Sequence, residues 1–341
     1  MTTALVTGGS GYLGSALIER LHAAGERVVN FDLVKPEEAP ASAEFVRGDI
    51  RDRDAIRLAC EGADVVYHAV AQQPLAKDPA LIGSVNVDGT ANLLAAARAA
   101  KVAKIVYVSS TAVFGIPEQN PVTEETTLRP LEPYGRSKVQ SELICRESMA
   151  GGLDVTIIRP RTIVGGGRLG VFSVLFDWVA AGSAVYVLGR GDNRTHFVHP
   201  EDLVEACLLA GKRAGPATYN VGSADVCTMR EMLEGLARYA GTGSKVRSLP
   251  ARPAVLAMRL LGTVGLAPFA PYHWLLYGES IWFDISRARA ELGWEPKHSN
   301  GAMIAEAYEW FLARRGTLRY EDSRGHSLVR EGALKLLRRL G

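Results

Sequence analysis

The sequence predicts an α/β fold, a doubly wound parallel sheet followed by a smaller C-terminal lobe, on three observations. The opening stretch Thr3-Ala4-Leu5-Val6-Thr7-Gly8-Gly9-Ser10-Gly11-Tyr12-Leu13-Gly14 is an apolar, β-prone run that enters a glycine-rich turn. Leu13, Ala16, Leu17, Leu21 and Ala24 then recur at helical spacing until Gly25, so the order is strand, tight turn, helix. Strand-like and helix-like segments alternate as far as about residue 160, which requires right-handed crossovers between parallel strands. The pattern changes near residue 165, beyond which loops and short elements take over.

The elements follow in order. Glycines in the first turn let the backbone approach a phosphate, and the helix behind presents free N–H groups and a partial positive charge. A second strand, Arg27 to Asp32, ends in an acid 18 residues after Gly14. A carboxylate there accepts hydrogen bonds from both hydroxyls of an adenosine ribose and repels a 2′-phosphate. Together these features predict a Rossmann-type dinucleotide site for NAD. Strands are then expected at Glu44–Ile50, Asp64–Ala71, Lys104–Thr111 and Asp154–Pro160, with helices over 83–100 and 132–149. Ligands of such a sheet gather at the C-terminal strand ends. Those ends carry Gly8–Gly14, Asp32, Asp49, Ala69–Ala71, Ser109–Thr111 and Arg159–Thr162.

Past the loop Gly165–Arg168, a helix is expected over 171–181, a strand at Tyr186–Asn193, and a helix after Phe197–Asp202. Tyr219–Gly222 reads as a strand, and loops with aromatics dominate 245–295, as in a substrate-binding cap. The expected division is 1–164 for the NAD-binding domain, with returning elements near 195–222, 165–317 for the substrate-binding lobe, and a tail at 318–341.

With 341 residues, 47% apolar and 22% charged, the chain can bury a full core. A net charge of +2 makes no case for nucleic acid. Cys60, Cys145, Cys207 and Cys227 lie far apart without CxxC spacing, which reads as reduced thiols of a cytoplasmic protein. The first strand begins at once, leaving no room for a signal peptide. The most apolar stretch, 253–277, is broken by Arg259 and prolines and does not read as a membrane span. No histidine pattern suggests a metal, and His196 and His199, expected in a strand, read as structural.

Tyr134-Gly135-Arg136-Ser137-Lys138 places a phenol and an ammonium one helical turn apart on one face. A phenol with a pKa of about 10 is too weakly ionised to act as a base at pH 7. A lysine one turn away, together with the positive charge of an oxidised nicotinamide, favours the phenolate. The spacing is weak evidence alone. One helix after the Ser109-Ser110-Thr111 strand end it gains force, because Thr111 is placed to donate to the same substrate oxygen.

With these residues the sequence resembles the extended short-chain dehydrogenase/reductases, the NAD-dependent epimerase/dehydratase group. The resemblance runs from about residue 3 to 312, through Thr7–Gly14, Gly48–Asp52, His68–Ala71, Asn86–Thr90, Val108–Gly115, Tyr134–Lys138, Arg159-Pro160, Phe197–Leu203 and Phe283–Ala288. It implies that Gly8, Gly11, Tyr12, Leu13 and Gly14 line the pyrophosphate, Asp32 holds the ribose, Asp49 and Ile50 flank the adenine, and Ala69 and Ala71 border the cofactor. Tyr134 would be the acid/base, Thr111 its partner, and Lys138 the residue that holds the nicotinamide ribose and lowers the Tyr134 pKa. Three departures bear on the reaction. Family dehydratases carry an acidic pair after the catalytic Thr, where this chain has Ala112-Val113. Nucleotide-sugar epimerases usually have Asn at Thr162, while Arg194 sits where the family often places an Arg on the diphosphate; a plain surface arginine is the other reading. Gln72–Asp78 reads either as part of the substrate pocket or as a surface loop.

The leading reading is a nucleotide-sugar epimerase working through a transient keto intermediate. A hydroxysteroid- or lipid-type 3-hydroxy dehydrogenase is the alternative, suited by Arg159–Gly165 and the apolar 253–277. A non-catalytic NAD-binding protein is a third, which the intact Thr111, Tyr134 and Lys138 set opposes. Resemblance implies a homodimer through the helices near 83 and 132. Residues 328–341 carry a local charge of +3, with Val329, Ala333, Leu336, Leu337 and Leu340 on one helical face. This tail reads as a helix docked on the enzyme itself or as a weak contact with an anionic inner membrane face.

Overall fold

The computed structural model of the chain describes residues 2–35, 43–73, 78–167, 169, 172–263 and 277–317. The expected tail helix, residues 264–276 of the apolar stretch and residues 74–77 of the Gln72–Asp78 reading lie outside them. Seven parallel strands form the central sheet: β1 (Thr3–Thr7), β2 (Arg27–Asp32), β3 (Glu44–Arg47), β4 (Val65–His68), β5 (Lys104–Val108), β6 (Val155–Pro160) and a returning β9 (Ala217–Val221). Their order is β3-β2-β1-β4-β5-β6-β9, so the chain leaves β1 toward one edge and returns to build the other. Such a switch between β1 and β4 opens a crevice at the strands' C-terminal ends.

The strands read as apolar runs because both faces are covered. Ala4 and Val6 face one core cluster and Leu5 the other; Val28 and Val29, Val66 and Tyr67, and Ile105 and Val106 divide likewise, one residue to each side. Helices α1 (Tyr12–Ala23) and α7 (Pro200–Lys212) cover the first face through Leu13, Leu17, Leu21, Leu203 and Cys207. Helices α2 (Arg53–Cys60), α4 (Gly89–Ala99) and α5 (Pro133–Ala150) cover the second through Ile56, Leu93, Ala97 and Cys145.

The helix expected over 83–100 begins earlier and is not uniform. Asp78 caps α3 (Pro79–Gly83), its carboxylate accepting from Ala80 N–H (2.9 Å) and Leu81 N–H (3.2 Å), with proline in the first turn. A π-turn, Ser84–Asp88, then joins α3 to α4. Asn86 in this turn accepts from Gln72 N–H (2.7 Å) and donates to Gln72 O (3.2 Å) and Ser137 Oγ (2.9 Å). The turn therefore ties the chain after β4 to α5.

A third cluster holds the second lobe together around α6 (Phe172–Ala180), α8 (Met229–Ala240) and α11 (Asn300–Arg314). Two short pairs complete it: β7 (Val185–Leu188) lies parallel to β11 (Val246–Leu249), and β8 (Arg194–Thr195) antiparallel to β10 (Cys227–Thr228). The stretch 245–295 is accordingly more regular than expected, with β11, α9 (Ala251–Thr263) and α10 (Ser286–Leu292). His196 and His199 are not strand residues. His199 caps α7, accepting from Glu201 N–H through Nδ1 (3.3 Å), and its Nε2 meets Glu306 Oε2 at 2.9 Å. His199, Glu201 and His298 place ligand-capable atoms within 4.8 Å of one another. The two rings stack at 3.6 Å, so their in-plane lone pairs do not converge on one ion.

Candidate active site

Thr7 pairs with Phe31 on one side and His68 on the other, which sets the first turn at the strand switch. Gly8 has φ +74°, and a Cβ there would lie 2.8 Å from Val70 N. At Gly14 a Cβ would lie 2.1 Å from Gly8 O, so α1 approaches the turn only through glycine. Gly11 caps α1 without a side chain, leaving the first-turn N–H groups of Tyr12, Leu13 and Gly14 without intrahelical acceptors. Leu13's side chain is buried in the core, so its backbone alone faces the crevice. Tyr12 donates its hydroxyl to Gly166 O (2.7 Å), across to the start of the second lobe.

Asp32 ends β2 beside this turn, its carboxylate accepting from Ser10 N–H (3.0 Å) and Val34 N–H (3.3 Å). Asp49 is held against Arg51, whose hydrogen bond keeps its carboxyl below the usual range. Ile50 is buried against Gly89, where a Cβ would come within 2.6 Å of its Cγ2. Ala69 continues from β4, its N–H donating to Thr7 O (3.0 Å), and Ala71 follows, half-buried. An uncapped helix end, a glycine cradle and a fixed carboxylate fit a dinucleotide with a free ribose hydroxyl.

At the other end of the crevice, Glu132 caps α5 by accepting from Tyr134 N–H (2.7 Å) and Gly135 N–H (2.7 Å). The cap fixes Tyr134 in the first turn. Lys138 is 2% exposed, donates to Val108 O (2.8 Å) and sits 5.9 Å from the centroid of the Tyr134 ring. Burial pushes its amine down to about 8, against the opposing influence of Cys145 and Glu142.

The three hydroxyls after β5 have different employment. Ser109 donates to Glu142 Oε1 (2.7 Å), and Ser110 accepts from Ala112 N–H (3.1 Å). Thr111 opens the short 3₁₀ turn Thr111–Val113 and is nearly buried. Arg159 is fully buried and already engaged: it forms a bidentate pair with Glu142 (2.9 and 2.7 Å) and donates to Glu124 O (3.1 Å). Thr162 is half-buried, its carbonyl accepting from Val198 N–H (3.1 Å). Arg194 is exposed, with its guanidinium 5.2 Å over the Trp282 ring.

Sequence reading missed Glu142, the residue one turn beyond Lys138 on the Tyr134 face, where the same spacing could have exposed it. It placed His68 in a motif but gave its side chain no role; the structure holds that ring between Thr7 Oγ1 (2.6 Å) and Thr90 Oγ1 (3.1 Å). All four cysteines are unpaired, and burial pushes the Cys60 and Cys207 thiols up to about 12. Among the described residues no helix is long and apolar enough to cross a membrane.

This sheet, turn and helix define an NAD-binding enzyme of the short-chain dehydrogenase/reductase type. The model of the family described as "NAD dependent epimerase/dehydratase family" matches residues 4–222, and the chain belongs to that family. It is 48% identical to an uncharacterized protein of Sinorhizobium fredii, over 98% of this chain and 85% of that one. It is 33% identical to sterol demethylase protein B of Methylococcus capsulatus, over 92% and 99%. With the UDP-glucose 4-epimerase of Streptomyces lividans it shares 32% identity over 90% and 95%. The crystal structure of a Thermotoga maritima UDP-glucose 4-epimerase with UDP-glucose superposes with a TM-score of 0.76 at 23% identity, covering 92% of this chain and all of that one.

Proposed function

We propose that the chain is a nucleotide-sugar epimerase with Tyr134 as its acid/base. The observation that carries this reading is the set at the C-terminal end of β5: a capped Tyr134, a buried Lys138 one turn on, and Thr111 at the strand end. NAD, bound along Gly8–Gly14, Asp32 and Lys138, supplies the hydride acceptor and donor. The Tyr134 phenolate accepts the proton of a substrate hydroxyl and later returns it. The Lys138 ammonium stabilises that phenolate, and the Thr111 hydroxyl donates to the same substrate oxygen. Residues 1–164 bind the cofactor, and 165–317, with Thr162 and Arg194, bind the substrate. Ala112-Val113 after Thr111 offers no acid or base for eliminating water, which disfavours dehydration.

A lipid-type 3-hydroxy dehydrogenase is the second reading, supported by the sterol demethylase relative and by Thr162 in place of the epimerases' asparagine. Both readings use Tyr134. Tyr134→Phe is expected to lower kcat by about 100-fold or more while NAD affinity, titrated by fluorescence, stays within about twofold. Unchanged turnover would remove Tyr134 from the mechanism.

A further inference from the structure

Arg161 lies one residue beyond the end of β6, and its N–H still donates to Val221 O (3.3 Å), so the chain remains extended there. Residues two apart on an extended chain share a face, which sets Arg161 beside Arg159. The ring contacts agree. Arg159's guanidinium is 4.9 Å from the Phe114 ring, Phe114 and Phe283 are 5.9 Å apart, and Arg161's guanidinium is 6.0 Å from Phe283. Two cations therefore rest on one aromatic pair beside the 3₁₀ turn that Thr111 opens.

Their partners differ. Each guanidinium nitrogen of Arg159 has a partner, whereas Arg161 has no hydrogen bond or ion pair to a carboxylate among the described residues, and its Nε is shut from solvent without a partner. Neighbouring acceptors are already engaged. Glu142 holds Arg159, Arg146 and Ser109. Glu124 Oε1 accepts from Asn220 N–H (2.8 Å). His196 uses both ring nitrogens, Nε2 toward Ser223 O (3.0 Å) and Nδ1 toward Phe283 N–H (3.2 Å). The wall thus gathers Lys138, Arg159 and Arg161 around two carboxylates, Glu142 and Glu124, each already engaged by other donors. Buried charges are normally paired, and a planar guanidinium selects carboxylate or phosphoryl oxygens two at a time.

We infer that Arg161 is a specificity-determining residue that binds an anionic group of the substrate, a carboxylate or a phosphoryl group. This rests on the nucleotide-sugar reading. The NAD-loaded enzyme, Arg161→Gln and Arg161→Lys are each titrated calorimetrically with UDP-glucuronate, UDP-glucose, UDP and uridine. Wild type is expected to favour one charged member, UDP-glucuronate over UDP-glucose or UDP over uridine, by at least tenfold. Arg161→Gln is expected to reduce that ratio by tenfold or more while leaving NAD affinity unchanged, and Arg161→Lys to fall between. The first pair assigns a sugar carboxylate and the second the diphosphate. Should Arg161→Gln not fold, Arg161→Lys, which keeps the charge and loses the fork, reads the same ratios. Ratios unchanged by the substitution, with UDP and UDP-glucose still bound, overturn the inference alone. A wild-type enzyme that binds none of the four probes overturns the nucleotide-sugar reading, and this inference with it.

Discussion

At the scale of single residues, Lys138 carries two opposed demands. Its ammonium is nearly buried and answered by one neutral carbonyl, so the folded chain bears a desolvation cost that function requires. The drop from 10.5 to about 8 corresponds to roughly 3 kcal/mol between the two protonation states, as an order of magnitude. Lys138→Met is therefore expected to lower kcat at least 100-fold yet raise unfolding free energy by about 1–2 kcal/mol, since Val108 O loses its donor. The sign with pH follows. The cost is fully present below pH 8 and fades between pH 8 and 10.5, where the unfolded chain holds the proton more tightly. Urea melts should show wild type gaining on the variant across that window; a variant less stable at pH 7 would contradict this. The Tyr134–Lys138 spacing was legible in the sequence because it is local. The pairing of Arg159 was not, because its partner Glu142 lies on α5, a separate element that packs against β6.

At the scale of elements, the first strand, turn and helix were readable in full, because each glycine answers a local steric demand. Gly14→Ala puts a methyl where Gly8 O already lies, and α1 must move away from the turn. NAD affinity is expected to fall at least tenfold, with about 1–3 kcal/mol lost in stability; wild-type affinity would mean the helix end does not meet the cofactor. The apolar strand runs also show in the sequence. The π-turn did not, since Asn86 distorts the helix through contacts with Gln72 and Ser137 that are distant along the chain. Nor did β7 with β11, a pairing across about sixty residues that leaves no local pattern.

At the scale of the whole molecule, the lobes are joined through the cofactor crevice. Tyr12 reaches Gly166 O, Gly166 N–H donates to Glu306 (3.1 Å), and Glu306 meets His199 at the cap of α7. The centre of the sheet is also expected to be acid-sensitive. His68 is buried between two threonines, and burial, helped by the Lys138 charge, pushes its pKa down to about 3. Its contribution is complete above pH 6.5 and is lost as pH falls from there toward 3, by up to about 1.4 kcal/mol per pH unit. His68→Gln should flatten that part of the stability profile in urea melts from pH 6.5 to 4; an unchanged slope would assign the acid sensitivity elsewhere.

The central claim, that the active site returns the hydride it removes, is tested most directly at 340 nm while UDP-glucose turns over. An enzyme that recycles its hydride converts substrate to its epimer through many turnovers on catalytic NAD, with NADH never exceeding one equivalent per site. Absorbance that climbs in step with product, past one equivalent per site, would contradict that claim and make the protein a dehydrogenase.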